Sequence, residues 1–266
     1  MRRTNLRVND SLCGFAAAWE MLIDIPFPTA LRRFRGGRLA TGAETAAGFV
    51  LVGLLAGIVL AVAGWILNAS WINRYAASAL FAFFAVAVAD GRDSFRGLKL
   101  LVSAVSGVFG GRDWRESFLD ASASDGAFER TAGCIAALTI LLAELFCFAL
   151  LAAGRASLWS VAVLTGGCIA QMVFSTLPRA GGDPPFLVIA HSARRKVWIL
   201  PVLAALWMLF RFPVAAVAAV VLLGGLGGMV RRDFVLTGTP VTADVITLIG
   251  KIAELALLLC GVIFAL

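Results

Sequence analysis

Three charged residues near the C-terminus stand in or beside an otherwise apolar run. Lys251 and Glu254 are three residues apart and share one face of a helix, and Asp244 precedes Lys251 by about two turns. Because an isolated charge is costly in lipid, such residues pair with one another or face a polar cavity. The spacing leaves two interpretations open, a structural ion pair and the lining of a functional site.

A second group of charges lies in the polar stretch 110–130. Asp113, Glu116 and Asp120 recur at helical spacing, beside Arg112 and Arg115. Oxygen ligands of this kind bind divalent cations, but neighbours at i,i+3 and i,i+4 are also typical of a solvated helix. We predict an amphipathic helix here, with a metal site as the alternative.

The other polar and sulfur-bearing residues give weaker signals. His191 is the single histidine and the five cysteines form no Cys-x-x-Cys pair, so a zinc site has no support. Glu144 and Gln171 stand inside apolar runs, and we predict that both point into the interior of a helix bundle.

Composition identifies the class of protein that carries these residues. Hydrophobic residues make up 61% of the 266 residues and charged residues 15%, against about 25% in soluble domains. The mean hydropathy is +0.92. This composition excludes an ordinary soluble enzyme, a disordered chain and a disulfide-stapled secreted domain, and it predicts a polytopic membrane protein whose partner is the lipid bilayer.

The apolar runs predict an all-α fold, a single integral-membrane domain over 1–266 with about seven transmembrane helices. A span needs about 20 apolar residues to cross a hydrocarbon core of about 30 Å. The predicted spans are 47–67, 75–89, 131–153, 158–177, 197–210, 213–230 and 243–265. The acidic segment 12–28, and the run 98–109 inside the long region 90–130, are predicted to be short re-entrant or interfacial helices.

The basic residues predict the orientation. Nineteen of the 23 fall in the N-terminal segment and the loops 31–46, 90–130, 178–196 and 231–242, whereas Arg74, Arg155 and Arg211 occupy the opposite side. Lys and Arg are retained on the cytoplasmic side of membranes, so this asymmetry explains the net charge of +7 without a nucleic-acid partner. It predicts an inner-membrane protein with cytoplasmic long loops and an external C-terminus.

Two glycine pairs have the spacing G-x-x-x-G. They are Gly53 with Gly57 and Gly224 with Gly228. In apolar helices such pairs let two backbones approach closely. We predict a structural role for both.

Four stretches resemble, in order and spacing, motifs of the cobalamin (5′-phosphate) synthase family, the adenosylcobinamide-GDP ribazoletransferases. Residues 21–28 are similar to the family's F-L-T-R-[IL]-P-x-P, residues 49–57 to F-P-L-V-G-L-L-L-G, residues 108–113 to its G-G-R-D loop and residues 241–244 to V-T-G-D. Glu254 lies ten residues beyond Asp244, where the family also carries Glu.

The resemblance implies a Mg²⁺-dependent transfer of α-ribazole, or its 5′-phosphate, to adenosylcobinamide-GDP with release of GMP. Carboxylates would hold the ion, which neutralises the phosphate oxygens and the leaving group. The candidate site residues are, for catalysis, Asp113, Asp244 and Glu254, and, for substrate binding, Arg112, Thr242 and Lys251.

The chain departs from the family at its acidic motif, His-x-Asp-Gly-x-x-Asp-x-x-Asp-Gly. An ungapped alignment places the three aspartates at Lys99, Ser103 and Ser106, and an ammonium in such a site would repel a divalent cation. A gapped alignment makes Asp90 and Asp93 the remaining metal ligands. We favour the ungapped alignment, because it needs no insertion.

These departures predict a cobalamin-synthase-like paralogue that is non-catalytic or altered in function. It would bind a corrinoid or nucleotide-like ligand. The protein would act as a monomer, as a homo-oligomer or together with a partner membrane subunit. An active ribazoletransferase that uses Asp90, Asp93, Asp113, Asp244 and Glu254 is one alternative. A small membrane transporter is the second.

Overall fold

A computed structural model describes most of the chain. The described residues are 13–20, 22–23, 42–91, 95–113, 116–117, 131–175, 199–237 and 242–265. They contain a short helical segment at 13–20, no strand, and the helices α1 (Gly42–Ala69), α2 (Arg74–Gly91), α3 (Arg96–Phe109), α4 (Thr131–Ala153), α5 (Trp159–Ser175), α6 (Ile199–Arg211), α7 (Pro213–Thr237) and α8 (Ala243–Phe264). The predicted all-α class is confirmed for this part of the chain.

Four of the described helices are long and apolar enough to cross a membrane. These segments are Ala47–Ala69, Arg74–Gly91, Gly133–Ala153 and Asp244–Phe264. The predicted spans 158–177 and 213–230 correspond to shorter apolar helices, Trp159–Phe174 and Pro213–Met229, and 197–210 corresponds to the 13-residue α6. The helices therefore indicate a membrane environment, and the count of seven spans stays a prediction.

Helix α5 forms the centre of the bundle, between α1 and α8. Every residue from 159 to 168 is buried. A Cβ on Gly53 of α1 would lie 2.7 Å from the Leu164 carbonyl oxygen, and one on Gly57 would lie 2.5 Å from the Val161 Cα. The close packing predicted for this glycine pair is confirmed, because only hydrogen fits where the two backbones cross.

The second glycine pair behaves differently. A Cβ on Gly224 or Gly228 would meet no atom within 4 Å in the part of the chain that the structure describes. Both glycines are exposed on the outer face of α7. The close packing predicted for this pair is absent there, because α7 contacts the bundle through a different face, which carries Ala215 and Ala219.

The boundary between α6 and α7 lies where the sequence indicates. Phe212 separates the two helices, and Pro213 is the first residue of α7. Proline fits the first helical turn but disfavours helical backbone at the residue before it. Helix α7 then continues to Thr237, so the first residues of the predicted connecting segment 231–242 are helical, while the apolar part of α7, Pro213–Met229, agrees with the predicted span 213–230.

Helix α3 contains the predicted short element 98–109. Its 14 residues span about 21 Å, too little to cross a bilayer. Leu98, Leu101 and Val102 are buried against α4 and α8, whereas Lys99 and Phe109 are exposed. In the segment 12–28, residues 13–20 are helical and the positions from 24 onward lie outside the described residues.

Candidate functional site

Three charged side chains from three helices meet in the interior of the bundle. The Lys251 ammonium on α8 donates a hydrogen bond to Oδ1 of Asp90 on α2, and it lies 2.5 Å from Oε1 of Glu144 on α4. Lys251 is 4% exposed, and Asp90 and Glu144 are each 2% exposed. We call Asp90, Glu144 and Lys251 the buried triad.

Each member of the triad continues the buried stripe of its own helix. Asp90 follows Ala82 and Val86 at intervals of four residues, and its helix ends directly afterwards at Gly91. Phe81 and Phe148 hold α2 against α4 with ring centroids 6.3 Å apart in an edge-to-face arrangement. The helix packing therefore brings both carboxylates to the lysine.

The acidic groups outnumber the ammonium at this centre. Glu254, one turn beyond Lys251, is 3% exposed and close enough to Lys251 to interact electrostatically. Oδ2 of Asp90 and Oε2 of Glu144 are buried and have no hydrogen-bond partner among the described residues. The centre thus holds acceptor oxygens that the described residues leave unpaired, which is costly at this depth.

Two glycines make room for polar side chains where α5 meets α8. A Cβ on Gly167 would overlap the Glu254 side chain, and one on Gly250 would lie 2.5 Å from Cγ of Gln171. Gln171 is 4% exposed. The prediction that Glu144 and Gln171 point into the bundle is confirmed.

A second ionic contact joins α3 to α8 nearer the surface. Nη2 and Nε of Arg96 lie 2.6 Å and 3.1 Å from Oδ1 of Asp244. Arg96 is half exposed, and Asp244 stands in the first turn of α8, where a negative charge is favourable. Thr242 caps the same helix by accepting a hydrogen bond of 3.3 Å from the Val245 amide.

The loop residues Arg112 and Asp113 lie away from these charges. Both are exposed, in the turn that follows Gly110 and Gly111, and neither side chain bonds to a described residue. Gly111 has φ +84°, a conformation that favours glycine. Of the predicted amphipathic helix, 116–117 are helical and Asp120 lies outside the described residues.

The structure therefore brings together some of the candidate residues. Lys251 meets Asp90, with Glu254 close by, whereas Asp244 and Thr242 organise the start of α8, about 10 Å from Lys251 along the helix axis. Asp93 lies outside the described residues. Glu144 as a partner of Lys251, and Arg96 as a partner of Asp244, were not predicted from the sequence. For Glu144 the available signal was a charge inside an apolar run.

The described residues do not fit the implied magnesium ion. No group of three His, Cys, Asp or Glu side chains suited to a metal occurs among them. Oδ1 of Asp90 already forms an ion pair with Lys251, and Oδ1 of Asp244 forms one with Arg96. In the ungapped alignment, Lys99 is exposed and the Ser106 hydroxyl is bonded to the Val102 carbonyl at 3.0 Å.

Comparison with known proteins identifies no relative. No family model, no curated protein and no solved structure matches the chain. The resemblance to the cobalamin synthase family therefore rests on the short ordered motifs alone.

Proposed function

We propose that this chain is a cobalamin-synthase-like membrane protein that binds a corrinoid or nucleotide-like ligand without performing ribazole transfer. The ordered motifs at 21–28, 49–57, 108–113 and 241–244 support the relationship to the family. The buried triad supports the loss of catalysis. The proposed setting is a bacterial inner membrane with cytoplasmic long loops.

The position of Lys251 is the main observation that supports the loss of catalysis. Its ammonium bridges Asp90 and Glu144 and supplies the positive charge that a metal ion would otherwise supply to such a carboxylate pair. Phosphoryl transfer depends on a cation that reaches the phosphate oxygens. A lysine that is 4% exposed and held by two carboxylates is a fixed structural charge, so it does not replace Mg²⁺ in the reaction.

The test is GMP release from adenosylcobinamide-GDP by the purified, reconstituted protein with α-ribazole and Mg²⁺. An active family member assayed in parallel shows that the assay works. We expect no release by this protein, together with saturable binding of adenosylcobinamide in equilibrium dialysis. Release that falls in Asp113→Asn and Asp244→Asn would instead establish the active ribazoletransferase, and absence of both release and binding would refute the proposal.

A small transporter is the second candidate function. It is favoured by Oδ2 of Asp90 and Oε2 of Glu144, which have no hydrogen-bond partner in the part of the chain that the structure describes, because charged groups inside membrane bundles commonly line ion or proton pathways. Proteoliposomes that contain a pH-sensitive dye would show proton flux in the unmodified protein and none in Glu144→Gln. Equal flux in both would exclude a role for the triad in transport.

A further inference from the structure

A long groove opens on the surface of the bundle at the end opposite the start of α8. It encloses about 900 Å³ between α1 and α5, with Trp207 of α6 on one side. Its walls are apolar along Leu54, Ile58 and Val161. The polar lining residues among those that the structure describes, Asn68, Arg155 and Ser157, lie at one end.

The dimensions and aromatic residues of the groove place its polar end at a membrane interface. From Leu54 to Asn68, α1 extends about 21 Å, which is more than half of a hydrocarbon core of about 30 Å. Trp65 lines the groove and is 71% exposed, and Trp71 and Tyr75 are exposed at the same end of the bundle. Tryptophan and tyrosine are enriched at the level of the lipid headgroups.

Arg155 occupies a backbone position that normally takes glycine. Helix α4 ends in a Schellman motif, in which Ala156 N–H donates to Leu151 C=O at 2.7 Å and Arg155 N–H to Ala152 C=O at 3.1 Å. Arg155 has φ +60°, which is unfavourable for a residue with a side chain. Its exposed guanidinium forms no hydrogen bond or ion pair with any described residue.

The polar end of the groove is electropositive. Arg74, which donates to the Ala153 carbonyl, and Arg211 lie at the same end of the bundle as Arg155. The positive end of the α5 dipole also points there, because α5 begins at Trp159. No acidic residue lines the groove among the described residues.

We propose that this groove binds one anionic phospholipid. Its phosphate would accept hydrogen bonds from the Arg155 guanidinium and the Asn68 amide, and an acyl chain would lie along Leu54, Ile58 and Val161. The groove is electropositive at one end, and its apolar wall is long enough to accommodate an acyl chain. These two features fit a ligand with an anionic head and a hydrocarbon tail. The proposal concerns a surface remote from the buried triad and does not depend on the proposed function.

The test measures lipid retention by native mass spectrometry of the full-length protein. The protein is purified with equimolar phosphatidylglycerol and phosphatidylcholine, and the ratio of the two lipids in the one-lipid complex is recorded. We expect an enrichment of phosphatidylglycerol of about tenfold, because both lipids offer a phosphate but the choline cation of phosphatidylcholine is repelled at the electropositive end of the groove. Arg155→Gly should abolish it while keeping the fold, because glycine tolerates φ +60°.

Matched variants distinguish a site from general attraction. Arg211→Gln removes the same charge from the same end of the bundle but outside the groove lining, and it should retain the enrichment. Ala61→Trp should reduce retention of both lipids, because it fills the groove between the helices. Equal losses in Arg211→Gln and Arg155→Gly, no enrichment in the unmodified protein, or a second protein copy bound in place of lipid would each overturn the proposal.

Discussion

The ammonium nitrogen of Lys251 lies 2.5 Å from Oε1 of Glu144, and the two residues belong to different helices in the interior of the bundle. The same nitrogen donates to Asp90 on a third helix. One side chain of α8 thus holds α2 and α4 together where apolar packing alone would leave two carboxylates unpaired. Removal of the Lys251 charge should lower the stability of the protein more than removal of any exposed charge does.

Lys251→Met should lower the free energy of unfolding by about 3–5 kcal/mol, because it leaves buried carboxylates without a counter-charge. Thermal unfolding in a fixed detergent measures the effect. The exposed Lys99→Met is the control and should change little. Recovery of stability in the triple variant Lys251→Met, Asp90→Asn, Glu144→Gln would show that the unpaired charge, rather than lost packing, is responsible.

Arg96→Gln should cost less than about 1 kcal/mol, because the Arg96–Asp244 pair is partly exposed and is screened by water and salt. The difference between Arg96→Gln and the unmodified protein should shrink as the salt concentration is raised in the unfolding assay. A cost as large as that of Lys251→Met would contradict this ranking of the two ion pairs.

Thr242→Ala should destabilise the protein by about 1 kcal/mol, because the Val245 amide loses its capping oxygen at the start of α8. Thr242→Ser keeps a hydroxyl acceptor and should retain most of the stability. The pair of variants also tests the candidate substrate role of Thr242. Ligand binding that is lost in Thr242→Ser at unchanged stability would indicate a contact beyond capping.

The two glycine pairs should respond to alanine in opposite ways. Gly57→Ala should destabilise the bundle, because its Cβ would lie 2.5 Å from the Val161 Cα of α5. Gly228→Ala should be neutral or stabilise by up to about 1 kcal/mol, since alanine favours helix and no described atom lies nearby. Equal losses at both positions would show that the outer face of α7 is also covered.

Titration with Mg²⁺ in a calorimeter should give no saturable binding to the purified protein, because Lys251 and Arg96 already neutralise Asp90 and Asp244. Lys251→Met is the informative variant here, since it frees the carboxylates of Asp90 and Glu144. Saturable binding by the unmodified protein would show that residues other than these described ones form a metal site.

The apolar helices, one helix boundary and one close helix contact could be predicted from the sequence. Hydropathy along the chain predicts apolar helices because the length needed to cross lipid is a property of a single segment. The break before Pro213 follows from the backbone chemistry of one residue, and the close approach at Gly53 and Gly57 follows from the missing side chains. These features are local, so neighbouring residues suffice to predict them.

The partners of the charges depended on the tertiary structure. The spacing of Lys251 and Glu254 places them on one face of α8, but it carries no information on which helices that face will meet. Asp90 and Glu144 reach Lys251, and Arg96 reaches Asp244, only because α2, α3 and α4 pack around α8. The sequence alone determined an apolar, helical chain with a few buried charges. Helix packing decided which of those charges neutralise one another, because the free energy of a buried ion depends on atoms far away in the chain.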